Sequence, residues 1–352
     1  MWQTEDLILV AVSLSVSVLA CTVAGDGGGR PLVTAVTRDA ATSLYTIPVK
    51  SGSPLVVDLS GPIVWSTCDD ATSHDTLECN SIDCMRAHRF HPPNCQHTGY
   101  GMPDPGNPYR CKCTTHPHNP VSGDTASGDM TRVVLSANAT DGRNPLGPVS
   151  FTAVTSCAPD SLLAGLPAGA VGVAGLARSG LSFPAQVART QGVANSFRAL
   201  PREPRPWRRR HLRRGPALRG ERAVHHGARV PSPAGSPFEL CYNSSRLSLT
   251  RFGYFVPTVG FGLEGGPGWA VQGINSMALV IGRPTACFGF VEMKEGDKAG
   301  YGGGAAPAVV LGGLQMEENL VVFNEEKQTM AFTGQINGRG LFCSNFNFTV
   351  PA

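Results

Sequence analysis

Apolar and polar positions alternate in short runs along most of the chain. Residues 32–36, 44–49, 55–59 and 63–65 are rich in β-branched and aromatic side chains, and Gly, Pro, Ser and Asp stand between them. The pattern returns at 131–135 and 149–155, and again at 255–261, 277–281, 287–291, 309–311, 320–324 and 329–333. A period of two bounded by turn residues predicts strands, and so many of them predict an all-β chain. Residues 181–194 instead repeat at helical spacing, with Pro184 near the start and Gly192 near the end, which predicts one short helix. Residues 68–120 have almost no apolar period and read as long cross-linked loops. No repeat recurs at a 20 to 50 residue period.

Residues 7–20 form an unbroken run of apolar and weakly polar side chains, too short for a helix to cross a bilayer core of about 30 Å. With small residues at Val18/Ala20 and Thr22/Ala24, the run reads as the core of a signal peptide spanning 1–24, although Glu5 and Asp6 stand where a basic residue is usual. A buried strand or short helix is the other reading. A signal peptide implies a secreted, extracellular protein, with no stable membrane anchor.

The formal charge of +3 on 352 residues suggests a basic protein. That charge has one source. Between Arg198 and Arg229 lie eleven Arg, no Lys and two acids, Glu203 and Glu221, so the remainder of the chain is net negative. The segment 198–235 has no apolar period. It supports three readings: a patch for a polyanion, a self-repelling linker, or a stretch translated in the wrong frame. Arg, Pro, Gly and Ala without Lys is what GC-rich coding sequence yields out of frame, and this reading is favoured. A nucleic-acid partner is therefore not expected.

Of eleven Cys, Cys21 would leave with the signal or lie at its edge. Cys68, Cys79, Cys84, Cys95, Cys111, Cys113, Cys157, Cys241, Cys287 and Cys343 remain as disulfide candidates. The first six crowd together with His74, His88, His91, His97, His116 and His118, so a zinc site must be weighed. The spacings contain no paired C-x2-C clusters, and a secreted chain oxidises its thiols, so disulfides are expected, no metal and no cofactor, with the histidines in solvated loops. Asn138, Asn243 and Asn347 open sequons and are candidate glycan acceptors.

The string from Val56 to Cys68 (VVDLSGPIVWSTC) places an acid at the end of an apolar strand, then a tight turn, then a second strand with a Trp seven residues after the acid. This resembles the first active-site loop of pepsin-like aspartic proteases, with Asp58 as the catalytic position. Asn119–Gly123 (NPVSG), Asn138–Gly142 (NATDG), Cys157-Ala158-Pro159, Gly172–Gly180 (GVAGLARSG), Phe183–Ala188 (FPAQVA), Phe238–Tyr242 (FELCY), Phe290–Lys294 (FVEMK) and Leu311–Glu317 (LGGLQME) resemble more closely a plant branch of that superfamily, the TAXI-type xylanase inhibitors and related basic seed globulins.

The resemblance implies an all-β, pepsin-like, bilobal fold, with an N-terminal lobe over 31–197 and a truncated C-terminal lobe over 236–352. It also implies inhibition of a glycoside hydrolase, such as a family 11 xylanase, by a monomeric protein. Proteolysis of the pepsin kind needs two facing carboxylates, and the sequence contains no Asp between Asp160 and Asp297, the interval where the second should lie. Leu59 stands where the family has Thr, Ser60 where it has Gly, and no Tyr for a flap occurs between Tyr109 and Tyr242. Asp58 is thus the remnant of a catalytic loop. Strong inhibitors of this type have a His shortly before the last Cys; here Arg339 occupies that neighbourhood and is the candidate inhibitory residue. An aspartic endopeptidase and a non-functional gene product are the two alternatives.

Overall fold

The computed structural model describes residues 29–68, 75–89, 103–104, 107–142, 144–199, 228–233, 237–262, 268–280, 282–292 and 309–336. The signal segment, Cys95, Arg339, Cys343, Asn347 and the centre of the Arg-rich segment lie outside them.

Eleven strands build the first lobe: β1 (Leu32–Val33), β2 (Thr37–Arg38), β3 (Tyr45–Lys50), β4 (Ser53–Asp58), β5 (Val64–Thr67), β6 (Pro103–Asp104), β7 (Asn107–Cys111), β8 (Thr114–Thr115), β9 (Gly128–Thr140), β10 (Pro145–Ala158) and β11 (Gly172–Gly175). Nine of them form one sheet in the order β1-β9-β10-β5-β11-β4-β3-β2, with β8 also on β9. The centre is mixed. β5 runs parallel to β10 and antiparallel to β11, and β11 runs parallel to β4.

Successive residues of the central strands enter different cores. Val56, Trp65 and Val173 pack with Ala158 and Leu162, whereas their neighbours Leu55, Val64 and Ala174 pack with Ile47 and Val49. Strands buried on both faces read as apolar runs rather than strict alternation. The helix Phe183–Gln191 forms as expected, with Pro184 at its first turn and Gly192 ending it in the left-handed conformation. Its Gln186 is buried; Oε1 accepts from Val154 N at 2.6 Å, and Nε2 donates to Val154 O and Leu181 O at 2.8 and 2.9 Å.

Three disulfides staple this lobe: Cys68–Cys157 joins the ends of β5 and β10, and Cys79–Cys111 and Cys84–Cys113 cross-link the stretch expected as loops. That stretch also contains a helix, Ile82–Ala87, which the sequence did not announce. Only Cys84 and Ala87 of its six residues are buried, so it has no apolar stripe to detect; Ser81 caps it by accepting from Cys84 N at 3.2 Å.

The second lobe contains β12 (Ser196–Ala199), β13 (Arg229–Val230), β14 (Cys241–Asn243), β15 (Leu249–Thr250), β16 (Gly253–Tyr254), β17 (Val259–Phe261), β18 (Trp269–Val271), β19 (Met277–Leu279), β20 (Thr285–Phe288), β21 (Val321–Asn324) and β22 (Thr329–Phe332). Its sheets are small: β12-β21-β22, β13-β14-β20-β19, and the pairs β15-β16 and β17-β18. Cys241–Cys287 links directly opposed residues of β14 and β20. Residues 309–311, expected as a strand, are extended coil leading into the helix Gly313–Met316, and Val309 and Val310 are exposed.

Both edges of the Arg-rich segment enter this lobe. Arg198 and Ala199 pair with Val322 and Val321, and Arg229 and Val230 pair with Tyr242 and Cys241. β12 therefore belongs with the second-lobe sheet.

Candidate functional site

Asp58 ends β4 opposite Gly175 of the parallel strand β11. Its backbone carbonyl accepts from Leu176 N at 2.8 Å, and the Gly61 carbonyl accepts from Ala177 N at 3.0 Å, so the loop 58–61 is braced along 175–177. The close approach requires Gly175: a side chain there would run into the carbonyl oxygens of Gly61 and Ile63. The Asp58 carboxylate is half-buried, and Oδ1 accepts from Ser60 N at 2.9 Å and Ser60 Oγ at 2.7 Å. Among the described residues its hydrogen bonds all stay within its own loop.

Leu59 points across to the other lobe, where it packs against the cluster of Trp269, Val271, Met316 and Val321. A Thr hydroxyl that would brace a catalytic loop is thus replaced by a hydrophobic pin between the lobes. The lobes meet again at Glu317. Buried at 2 % exposure, it accepts a hydrogen bond from the Tyr45 hydroxyl of β3 and lies 3.6 Å from Arg38 of β2. Burial pushes the Glu317 carboxyl above its usual range, against the opposing effects of Tyr45 and Arg38. Phe197 of β12 stacks on Phe323 of β21 at 4.8 Å, and Arg178 lies 3.3 Å from Glu325.

A hairpin closed by the His118–Thr125 bridge lies beside the Asp58 loop. Trp65 Nε1 donates to the His118 carbonyl at 2.9 Å. Burial holds the His118 imidazole below its ordinary pKa, while the nearby Asp58 carboxylate pulls the other way. Asn119, fully buried, locks the hairpin: Nδ2 donates to Leu162 O and Ala164 O at 2.7 and 2.8 Å, and Oδ1 accepts from Val121 N and Ser122 N.

The histidines depart from the expectation of solvated loops. His88, His116 and His118 are all half-buried, because the disulfides fold their segment onto the sheet; His74, His91 and His97 lie outside the described residues. Cys84, His88 and Cys113 bring their ligand atoms within 4.8 Å of one another. The two sulfurs are bonded to each other, so the cluster offers one imidazole and no free thiolate. His88 Nε2 is 3.0 Å from the Thr114 carbonyl.

Of the sequon residues, Asn138 lies half-buried in β9, paired with Val33 of β1. Asn243 ends β14, and its side chain caps the following turn by accepting from Ser245 N at 3.0 Å. The sequence pointed to Asp58 but not to Glu317, Leu59 as an inter-lobe contact, or Asn119 as an anchor. Each of these depends on a partner distant in sequence. A cavity of about 380 Å³ in the second lobe, between Trp269, Phe252 and Phe332, contains none of the residues predicted from sequence.

Comparison with known proteins accounts for both lobes. The family described as "Xylanase inhibitor N-terminal" matches residues 45–200, and "Xylanase inhibitor C-terminal" matches 219–334. The gap between them falls inside the Arg-rich segment. The chain is 46% identical to "Chitinase CLP" of Oryza sativa subsp. japonica over 98% of this chain and 99% of that protein. That alignment spans 427 positions, more than the 352 residues present, so the rice protein carries segments this chain lacks. Among solved structures, "edgp" superposes with a TM-score of 0.68 at 23% identity over 92% of this chain and all of that one. Basic 7S globulin from soybean gives 0.65 at 23% identity over 91% of this chain and 100% of that one. The fold is the pepsin-like one.

Proposed function

Because the chain belongs to the xylanase-inhibitor family through both its N-terminal and C-terminal domains, we propose that it is a secreted, catalytically inactive member that blocks a glycoside hydrolase by protein–protein binding. The observation that carries this reading is the state of the Asp58 loop. One carboxylate is tied to its own turn, Leu59 is packed into the opposite lobe, and no second Asp stands in the interval that should supply it. Peptide hydrolysis of the pepsin kind needs one carboxylate as base while a second holds the shared proton, and a lone Asp58 cannot do both. Inhibition asks only for a rigid surface, and the disulfide-stapled first lobe supplies one.

Purified protein added to a family 11 xylanase is expected to lower its activity. No effect at micromolar excess would overturn the proposal. Hydrolysis of chitin by the chain itself is a second reading, favoured by the name of the rice relative. Release of reducing sugar from chitin oligosaccharides, abolished in Asp58→Asn, would select it.

A further inference from the structure

The cavity of about 380 Å³ in the second lobe shares no residue with the Asp58 loop, and its size falls within the range of small-molecule sites. Phe252, Trp269 and Phe332 supply aromatic walls, Gln272, Thr333 and Gln335 supply polar groups, and no lining residue is ionisable. Trp269 and Phe332 are stacked with centroids 4.7 Å apart and ring planes 16° from parallel, and Arg251 lies over the Phe252 ring at 4.7 Å without lining the cavity. Trp269 is 4 % exposed, and its Nε1–H is buried without a hydrogen-bond partner. A buried indole usually finds one. Trp65, also buried, donates to the His118 carbonyl at 2.9 Å. Gln335 Oε1 is likewise buried without a partner. Asn275 sets its orientation: Asn275 Nδ2 donates to Leu314 O and Glu317 O at 2.7 and 2.9 Å, which leaves Asn275 Oδ1 to accept from Gln335 Nε2. A flipped Gln335 amide would set two carbonyl oxygens against each other.

A buried donor and a buried acceptor left unmade cost stability, which a ligand matching both recovers. We propose that this cavity binds a neutral acetamido sugar, a pyranose carrying an N-acetyl group. The secondary amide offers one carbonyl and one N–H, the complement of Trp269 Nε1–H and Gln335 Oε1. Its methyl group and the C–H face of the pyranose ring are apolar and suit the aromatic walls. A charged ligand would lose its water there with no group of opposite charge in the lining to pair with. No carboxylate or imidazole lines the cavity, so the sugar is held and not cleaved. The site depends neither on the inhibitor reading nor on hydrolysis of chitin at Asp58.

The test is a ligand-observed NMR titration of the full chain with N-acetylglucosamine, with glucose, glucosamine and N-acetylglycine N-methylamide as comparators. A dissociation constant of about a millimolar is expected for N-acetylglucosamine. Glucose, which lacks the amide, and glucosamine, which has an ammonium in its place, should bind about tenfold more weakly or less. Trp269→Phe keeps an aromatic ring and removes the N–H, and should weaken binding by about tenfold. Gly334→Leu is the independent variant: a Cβ at Gly334, in the lining, meets no atom within 4 Å, so the added side chain fills space without a clash. It should abolish binding at an unchanged melting temperature. No binding by wild type, or equal binding of glucose, would overturn the acetamido site. Equal binding of N-acetylglycine N-methylamide would replace the sugar by a peptide, and binding that survives in both Trp269→Phe and Gly334→Leu would remove it from this cavity. The titration reads neither xylanase inhibition nor chitin hydrolysis, so failure of either of those readings is separate from failure of this one.

Discussion

Leu59 shows how one residue can decide between chemistry and structure. A Thr at this point would donate within its loop; Leu has no donor and places its side chain among Trp269, Val271, Met316 and Val321. Restoring the protease signature with the double substitution Leu59→Thr and Ser60→Gly is therefore expected to yield no pepstatin-sensitive proteolysis at acid pH, since the second carboxylate is still missing. It should also lower stability by about 1–2 kcal/mol through the lost inter-lobe packing, readable in chemical denaturation. Glu317 gives a pH dependence. Its carboxyl, raised by burial and by neighbouring Glu318 and lowered by Tyr45 and Arg38, titrates above its ordinary value of 4.5. A carboxyl raised on folding contributes stability that is fully present below the unfolded value and is lost as pH rises through the folded one. The melting temperature of wild type minus that of Glu317→Gln should therefore fall as pH is taken from below 4.5 to neutrality. A difference that stays flat would remove Glu317 from the seam's energetics.

At the scale of elements, the legible parts were those whose burial follows the local period. Strands β3, β4, β5, β9 and β10 and the helix Phe183–Gln191 announce themselves in apolar spacing and in Pro184 and Gly192. The helix Ile82–Ala87 did not, because a disulfide and a cap hold it in place of an apolar stripe. Residues 309–311 misled for the opposite reason: three apolar residues in a row have no neighbouring strand to pair with among the described residues, and Val309 and Val310 remain exposed. At the site, Asp58 and its loop could be read from one short string, whereas Leu59, Glu317 and Asn119 act through contacts made by residues far away along the chain. Gln186 belongs to that hidden class, since its side chain bonds Val154 N, Val154 O and Leu181 O. Gln186→Leu keeps the bulk but strands those buried groups, and should cost about 2 kcal/mol or more, seen as a lower denaturation midpoint with unchanged slope.

Across the whole molecule the two lobes are unequal. The first has a nine-stranded sheet and three disulfides, and the second has sheets of at most four strands and one disulfide among the described residues. Among the described residues, eight of the twelve exposed large apolar side chains belong to the second lobe, including Leu279 on the edge strand β19 and Met330 on the edge strand β22. Unpaired edges bearing apolar side chains favour association with other chains. The rice relative is longer than this chain, with sequence present there that is missing here. Two β lobes joined by a few side chains, with cores of different size, need not melt together. Calorimetry should then resolve two transitions. The lower should report the second lobe, with dye binding to apolar surface and concentration-dependent association setting in as it is crossed. The upper should be the first lobe, and replacing Cys68 and Cys157 by Ser should lower it by about 2–5 kcal/mol while moving the lower one little. A single cooperative transition that shifts as a whole in that variant would mean that Leu59, Tyr45 and Glu317 couple the lobes more tightly than their unequal cores suggest.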